Sequence, residues 1–375
     1  MIKKEIDDAV EKNFKEIDKA IENGDLNKSI RLLELQAEFF YKSNICYCSD
    51  ILEQKFNTIL CKFEKKERLL DLNSKKVIFY DYFALENRGL ALIYLKGLVK
   101  NGYEVVYISY ACKIQCLSRI QEILKSKKHK MIFLSTQSDY RTLYCELYNV
   151  FITERPMHAF LYTYPSDVVG IGVFQNLPID IKRYQINLTD HAYWLGVNAF
   201  DYCIEFRNYG IYISEKYRHI SSSKILVQPY YPECNSSEDY GGIPFTVKTN
   251  QLIMFSGGSI YKTLDNENTF YDLVEKLLLK YDNLIFWYAS ETTCASLRHL
   301  INTYPNRVYH TKERKDIYQV LCHIDIYLNT YPISGGLMLQ YAAIAGKVPF
   351  TLVHDDDAYG VLLDNSEVYY KDGLN

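Results

Sequence analysis

The 375-residue chain carries 43 Lys+Arg against 46 Asp+Glu, a formal net charge of −3, with 48% hydrophobic and 24% charged residues. This balance excludes a global basic field for nucleic acid and fits a globular protein with room for two domains. No run of about 18 apolar residues occurs, so no transmembrane segment is expected and any membrane association would be peripheral.

Residues 1 to 70 read as helical, dense in Glu, Lys and Asp, without Pro and with Gly24 as the only glycine. Ile17, Ala20 and Ile21 share one face, and after Gly24-Asp25 a second helix carries Ile30, Leu33, Ala37 and Phe40. One such hairpin resembles a tetratricopeptide unit, but those arrays need several units, so a helical extension packed on the main body is the simpler expectation.

From Lys75 the texture alternates between strands and helices. Lys76–Tyr80 is a short apolar run; a loop spans Asp81 to Arg88. A helix from Gly89 is stopped by Asn101-Gly102. Strands are expected at Tyr103–Ser109, Met131–Leu134, His158–Tyr162 and Tyr184–Ile186, the last ending the first sheet. The turn-rich stretch Pro232–Pro244 is the linker candidate. A second series follows, with strands at Gln251–Phe255, Leu284–Trp287, Arg307–Tyr309, Ile326–Leu328 and Val348–Val353 and a helix at Phe270–Lys280. The expected division is a helical extension at 1–71, a first α/β domain at 72–230, a linker at 231–245 and a second α/β domain at 246–375. Two doubly wound, Rossmann-like domains would bind ligand at the C-terminal ends of their strands, in a cleft between them.

Ten cysteines show no paired metal-ligand spacing, and the charged N-terminus lacks the apolar core of a signal peptide. A cytoplasmic location is the expectation. The 35 Tyr and 18 Phe suit sugar stacking, yet compositional bias of the source genome is the blander and favoured reading, since most aromatics serve packing.

The segment Asp325–Gln340, running on to Pro349, reads as a buried strand, a Pro/Ser/Gly-Gly turn, a helix ended by Gly346 and another strand. A Gly-rich turn opening a helix gathers unpaired N–H groups and positive dipole at one spot, which suits phosphate.

With Phe255-Ser-Gly-Gly-Ser-Ile-Tyr-Lys262 and Arg307-Val-Tyr-His-Thr-Lys312, this segment resembles the GT-B glycosyltransferases. The resemblance is to the O-GlcNAc transferases and the bacterial protein glucosyltransferases that modify adhesins, over about 100 residues. The first half is similar only through Glu86-Asn-Arg-Gly89 and the helix after it. The resemblance implies a bacterial hexosyltransferase that moves a sugar from a nucleotide sugar, with UDP as carrier. Protein glycosylation or polysaccharide biosynthesis would be its setting, with a protein or surface glycan as acceptor. It implies inversion and no metal or other cofactor beyond the nucleotide sugar as co-substrate.

Lys262 would contact the donor diphosphate and stabilise the charge that builds on it as the glycosidic bond breaks. Ser259 and Tyr261 would flank it, and Ser334, Gly335 and Gly336 would supply a helix amino end in place of a metal. His310, Thr311 and Lys312, supported by Tyr318, fall where the family places its base-binding loop. Gln340 stands where the family often has an acid for the ribose. Asn87 and Arg88 fall where acceptor groups gather, but the His of the O-GlcNAc transferases is absent from that loop.

Transfer also needs a general base. Asp190-His191 is the candidate pair, although neighbours on a strand point opposite ways and a helix cap with a packed histidine fits equally. Asp355-Asp-Asp357 has the Asp-x-Asp spacing of metal-dependent transferases, but short acidic runs are usually solvated turns. Two other readings remain open: a non-catalytic subunit or chaperone of an active transferase, and a sugar-nucleotide epimerase using Asp190, Glu86 and Asp355. The resembled enzymes finish with helices after the last strand; this sequence ends at Asn375 soon after it.

Overall fold

The computed structural model describes residues 2–86, 90–229, 231–232, 234 and 239–352. Two compact units divide the chain at Tyr230/Tyr231.

The first unit begins with three helices, α1 (Ile2–Glu22), α2 (Leu26–Ser43) and α3 (Asp50–Leu60). Gly24, at φ +72°, turns the chain out of α1, and Asp25 then caps α2 by accepting the Lys28 N–H. Ser49 caps α3 in the same way through Leu52 N–H. Two of these helices match the sequence reading. The third replaces the continuous helix expected through residue 70, and residues 61–72 are not helical.

Seven parallel strands follow: β1 (Asn73–Asp81), β2 (Glu104–Tyr110), β3 (Lys130–Leu134), β4 (Pro156–Tyr162), β5 (Lys182–Ile186), β6 (Tyr202–Glu205) and β7 (Ile225–Val227). Their order is 3-2-1-4-5-6-7. The crossovers carry α4 (Leu90–Lys100), α5 (Ser118–Ile123), α6 (Tyr140–Glu154), α7 (Val168–Asn176) and α8 (Asn208–Lys216). Side-chain alternation splits the strand residues between two cores. Ile78 and Tyr80 pack with α6, α7 and all three N-terminal helices, through Ile17, Leu33, Phe40, Leu52 and Phe56. Phe79 and Tyr107 pack on the other face with Leu90, Leu92 and Leu95. The N-terminal helices therefore share the first sheet's core. The sheet does not end at residue 186 as expected. Strands β6 and β7 are only four and three residues long, too short to show a periodic signal.

The second unit holds five parallel strands, β8 (Leu252–Gly257), β9 (Leu284–Ala289), β10 (Val308–Thr311), β11 (Ile326–Leu328) and β12 (Pro349–Phe350), in order 10-9-8-11-12. Helices α9 (Thr269–Lys280), α10 (Ala295–Thr303), α11 (Ile317–Cys322) and α12 (Gly336–Ile344) connect them. The fully buried β9, with Phe286 and Tyr288 on one face and Trp287 on the other, divides two cores. In each sheet the strand order reverses once, between β1 and β4 and between β8 and β11. Ligands of open parallel sheets bind outside the carboxyl ends at such reversals.

Candidate donor and acid–base sites

The second reversal brings together two of the segments singled out in the sequence. A 3-10 turn, Ile260–Thr263, follows β8 and carries Lys262. The turn at residues 329–335 follows β11 and opens α12. Ile333 N–H donates to the carbonyl oxygen of Lys262 at 3.2 Å, so the two turns touch through their backbones. Ser334 is the next residue along.

Each turn is braced from within. Thr263, buried, donates its hydroxyl to Ile260 O at 2.7 Å and meets Tyr271 Oη at 2.8 Å. Tyr288 Oη donates to Gly258 O at 3.2 Å; Gly258 adopts φ +133°, open to glycine alone. Ser259 and Tyr261 are exposed beside the half-buried Lys262.

In the other turn, which contains a cis Tyr331–Pro332 peptide, Thr330 Oγ1 donates to Ile333 O at 2.7 Å. Asn329 Oδ1 accepts the Gly335 N–H at 2.9 Å. The helical ladder of α12 starts with Leu339 N–H on Gly335 O, so the N–H groups of Gly336, Leu337 and Met338 have no acceptor inside the helix. A Cβ at Gly336 would meet nothing within 4 Å, which leaves that amino end open. Gln340 lies one turn further along α12, half-buried.

His310 and Thr311 end β10, and Lys312 follows, exposed. The His310 ring nitrogen Nε2 lies 3.1 Å from both Ser290 O and Ser290 Oγ. A carbonyl only accepts, so Nε2 carries the proton and Nδ1 is an acceptor when the ring is neutral. Thr311 Oγ1 accepts from Trp287 Nε1 at 2.9 Å, an engagement within the sheet. Tyr318 lies on α11.

Asp190 and His191 lie in the loop after β5, within the first unit. The side chains do meet, with His191 Nδ1 3.4 Å from Asp190 Oδ1, because the loop is not a strand. Asp190 is 1% exposed and takes both Nε (2.5 Å) and Nη2 (3.0 Å) of Arg207. Burial would raise its pKa, but the bonds from His191 and Arg207 outweigh burial and hold the carboxyl below its usual range. His191 is 43% exposed. Arg218, buried, donates Nη2 to the carbonyls of Thr189 (2.9 Å), Asp190 (3.2 Å) and Ala192 (2.7 Å). The loop is thus clamped by two arginines that the sequence reading did not single out.

Two other carboxylates, Glu86, weighed in the sequence, and Asp81, which was not, are hydrogen-bonded within the first unit. Glu86 accepts Ile120 N–H at 2.8 Å and so helps cap α5. Asp81, at the first reversal, accepts Ala84 N–H and Tyr107 Oη–H, both at 2.8 Å, and burial pushes its pKa up to about 6. Asn87 and Arg88 lie outside the described residues, as do Asp355–Asp357. Among the described residues no cluster of three or more His, Cys, Asp or Glu is arranged to hold a metal. No described helix is long and apolar enough to cross a membrane.

Asn329 and Thr330 were also missed as site residues. Their signal was available: an Asn-Thr pair directly between a strand and a Gly-Gly turn is the composition of side-chain-braced turns.

Known structures share this architecture. A glycosyltransferase from Rickettsia africae superposes with a TM-score of 0.55 at 12% identity, covering 74% of this chain and 79% of that one. An O-GlcNAc transferase of Thermobaculum terrenum gives 0.54 at 13% identity, covering 93% and 68%. A UDP-GlcNAc 2-epimerase from Neisseria meningitidis, bound to UDP-GlcNAc, gives 0.50 at 12% identity over 74% and 82%. No protein-family model and no curated protein matches the sequence. The class defined by these observations is the GT-B fold. This chain is an α/β protein of two Rossmann-like domains of that type, with an N-terminal helical layer on the first.

Proposed function

We propose that the protein is a glycosyltransferase that moves a sugar from a UDP-sugar to a hydroxyl of a protein or surface-glycan acceptor, inverting and without a metal. The observation that carries this reading is the Lys262 O–Ile333 N–H contact, which joins a lysine-bearing turn to an open helix amino end at the β8/β11 reversal. One cation and three backbone N–H groups there suit the two phosphates of a nucleoside diphosphate. The structural neighbours, two sugar transferases and an epimerase bound to UDP-GlcNAc, support that ligand.

In the reaction an acceptor oxygen attacks the anomeric carbon while the bond to the diphosphate oxygen breaks, its electron pair leaving with UDP. The acceptor proton passes to a base, for which His191, oriented by Asp190, is the candidate. Lys262 and the α12 amino end act on the leaving group, where negative charge grows, and so favour the transition state over the bound donor. His310 Nδ1 offers an acceptor for a base N–H, and Gln340 could bond the ribose hydroxyls.

The test is incubation with a panel of nucleotide sugars, following UDP release and the sugar product, with Lys262→Ala and His191→Ala beside the parent. Loss of turnover by roughly 10²–10³-fold in Lys262→Ala is expected, the size seen when a preorganised oxyanion donor is removed. The epimerase structure makes epimerisation the second reading, and a sugar changed at one carbon with no transfer would establish it. Tight UDP-sugar binding without any turnover would instead indicate a non-catalytic partner subunit.

A further inference from the structure

We infer that Asn329 is a positioning residue that sets the helix amino end for the diphosphate; the inference rests on the proposed function. Asn329 is 0% exposed, at the carboxyl end of β11, and its main-chain N–H is held by Phe350 O at 2.7 Å. Two donors converge on its Oδ1: Gly335 N–H at 2.9 Å and Tyr327 Oη–H at 3.3 Å. Its Nδ2 has no partner among the described residues. Every bond the described fold makes with this side chain is therefore one to an acceptor oxygen.

Gly335 is the residue just before the first turn of α12, and its N–H would otherwise be a buried donor without an acceptor. A Cβ at Gly335 would lie 3.2 Å from Asn329 Oδ1 and 3.6 Å from Thr330 Oγ1, so the backbone approaches this pair more closely than a side chain comfortably permits. Thr330 fixes the Ile333 carbonyl, and Lys262 O fixes the Ile333 N–H. Asn329 completes the set by tying the far end of the turn. Without it, the N–H groups of Gly336, Leu337 and Met338 would no longer be held in one orientation before ligand arrives, and that preorganisation is what gives such donors their effect.

The role predicts that an oxygen acceptor is sufficient. Asn329→Asp keeps the acceptor, and the positive end of α12 favours the carboxylate. Asn329→Leu keeps the volume but removes the acceptor. The experiment measures amide hydrogen exchange at Gly335 and UDP affinity by calorimetry in the parent and both variants, with the Trp287 amide as a reference for the sheet.

For Asn329→Leu, Gly335 exchange about tenfold faster and UDP binding about tenfold weaker are expected, with Trp287 unchanged. For Asn329→Asp, both should stay within about threefold of the parent. Unchanged Gly335 exchange in the Leu variant overturns the inference. An Asp variant weaker for UDP than the Leu variant also overturns it, because it would place the side chain against the ligand itself. If the parent binds no UDP, the proposed donor site fails, whereas Gly335 exchange still decides whether Asn329 sets the turn.

Discussion

Two loops that leave parallel strands in this protein are held by opposite means. The loop at 187–195, after β5, is tied by charge: Arg207 on Asp190, and Arg218 on the carbonyls of Thr189, Asp190 and Ala192, with Glu205 buried beside Asn187 and Ser214. The ties described for the turn at 329–335, after β11, are to neutral groups: Asn329, Thr330 and the Lys262 carbonyl. The difference is instructive. Buried charges fix a loop firmly but neutralise one another locally, so the first loop offers one oriented histidine. Neutral ties add no counter-charge to the partial positive charge of the α12 amino end, which is the property an anion site needs.

The sharpest way to break the contrast is Arg218→Ala. It would leave the carbonyls of Thr189, Asp190 and Ala192 without their donor and remove the buried cation near Glu205, and removal of one partner from a buried charged set costs about 3–5 kcal/mol. Urea unfolding should show that loss; a value below about 1 kcal/mol would mean that packing, not charge, holds the loop.

Glu53 of α3 tests the same loop from the other side. Its Oε1 accepts Gly196 N–H at 2.7 Å, and burial raises its pKa from 4.5 to about 7. The unfolded chain gives up this proton first, so the stability due to Glu53 is full below pH 4.5 and is lost as pH rises through about 7. The loss integrates to about 3 kcal/mol. Glu53→Gln should flatten that part of the stability–pH curve, measured by urea unfolding at pH 4.5 and 8; an unchanged slope would show that the carboxyl is not buried as described.

The smallest effect belongs to the neutral side. Thr263→Val removes the hydroxyl between Ile260 O and Tyr271 Oη and should cost about 1 kcal/mol, one ordinary hydrogen bond. Calorimetric unfolding measures it. A loss as large as that in Arg218→Ala would erase the distinction between the two loops.

Much of the second unit was legible beforehand. The runs at 251–255, 284–287 and 326–328 are apolar on both faces because a parallel sheet covered by helices buries both, and such runs are conspicuous. Asp25 and Gly24 announced the α1–α2 hairpin through their own backbone preferences. Strands β6 and β7 were not legible, since so few residues carry no period. Nor was the third N-terminal helix separated from its neighbours, because the Ser49 cap is one residue among many polar ones.

The site divided in the same way. Ser334, Gly335 and Gly336 could be picked out as a helix-opening turn because turn chemistry and a helix start are local properties, whereas Lys262 stood out only through the family resemblance. Arg207 and Arg218 could not, because each acts on groups brought near by sheet order rather than by composition. What the sequence determined alone was the alternation of strand and helix, the caps and the glycine turns, all set by interactions within a few residues. Only the tertiary structure decided that the strand order reverses between β8 and β11. That reversal seats Lys262 against the α12 turn across more than sixty residues of chain, since pairing between distant strands depends on packing that no local pattern encodes.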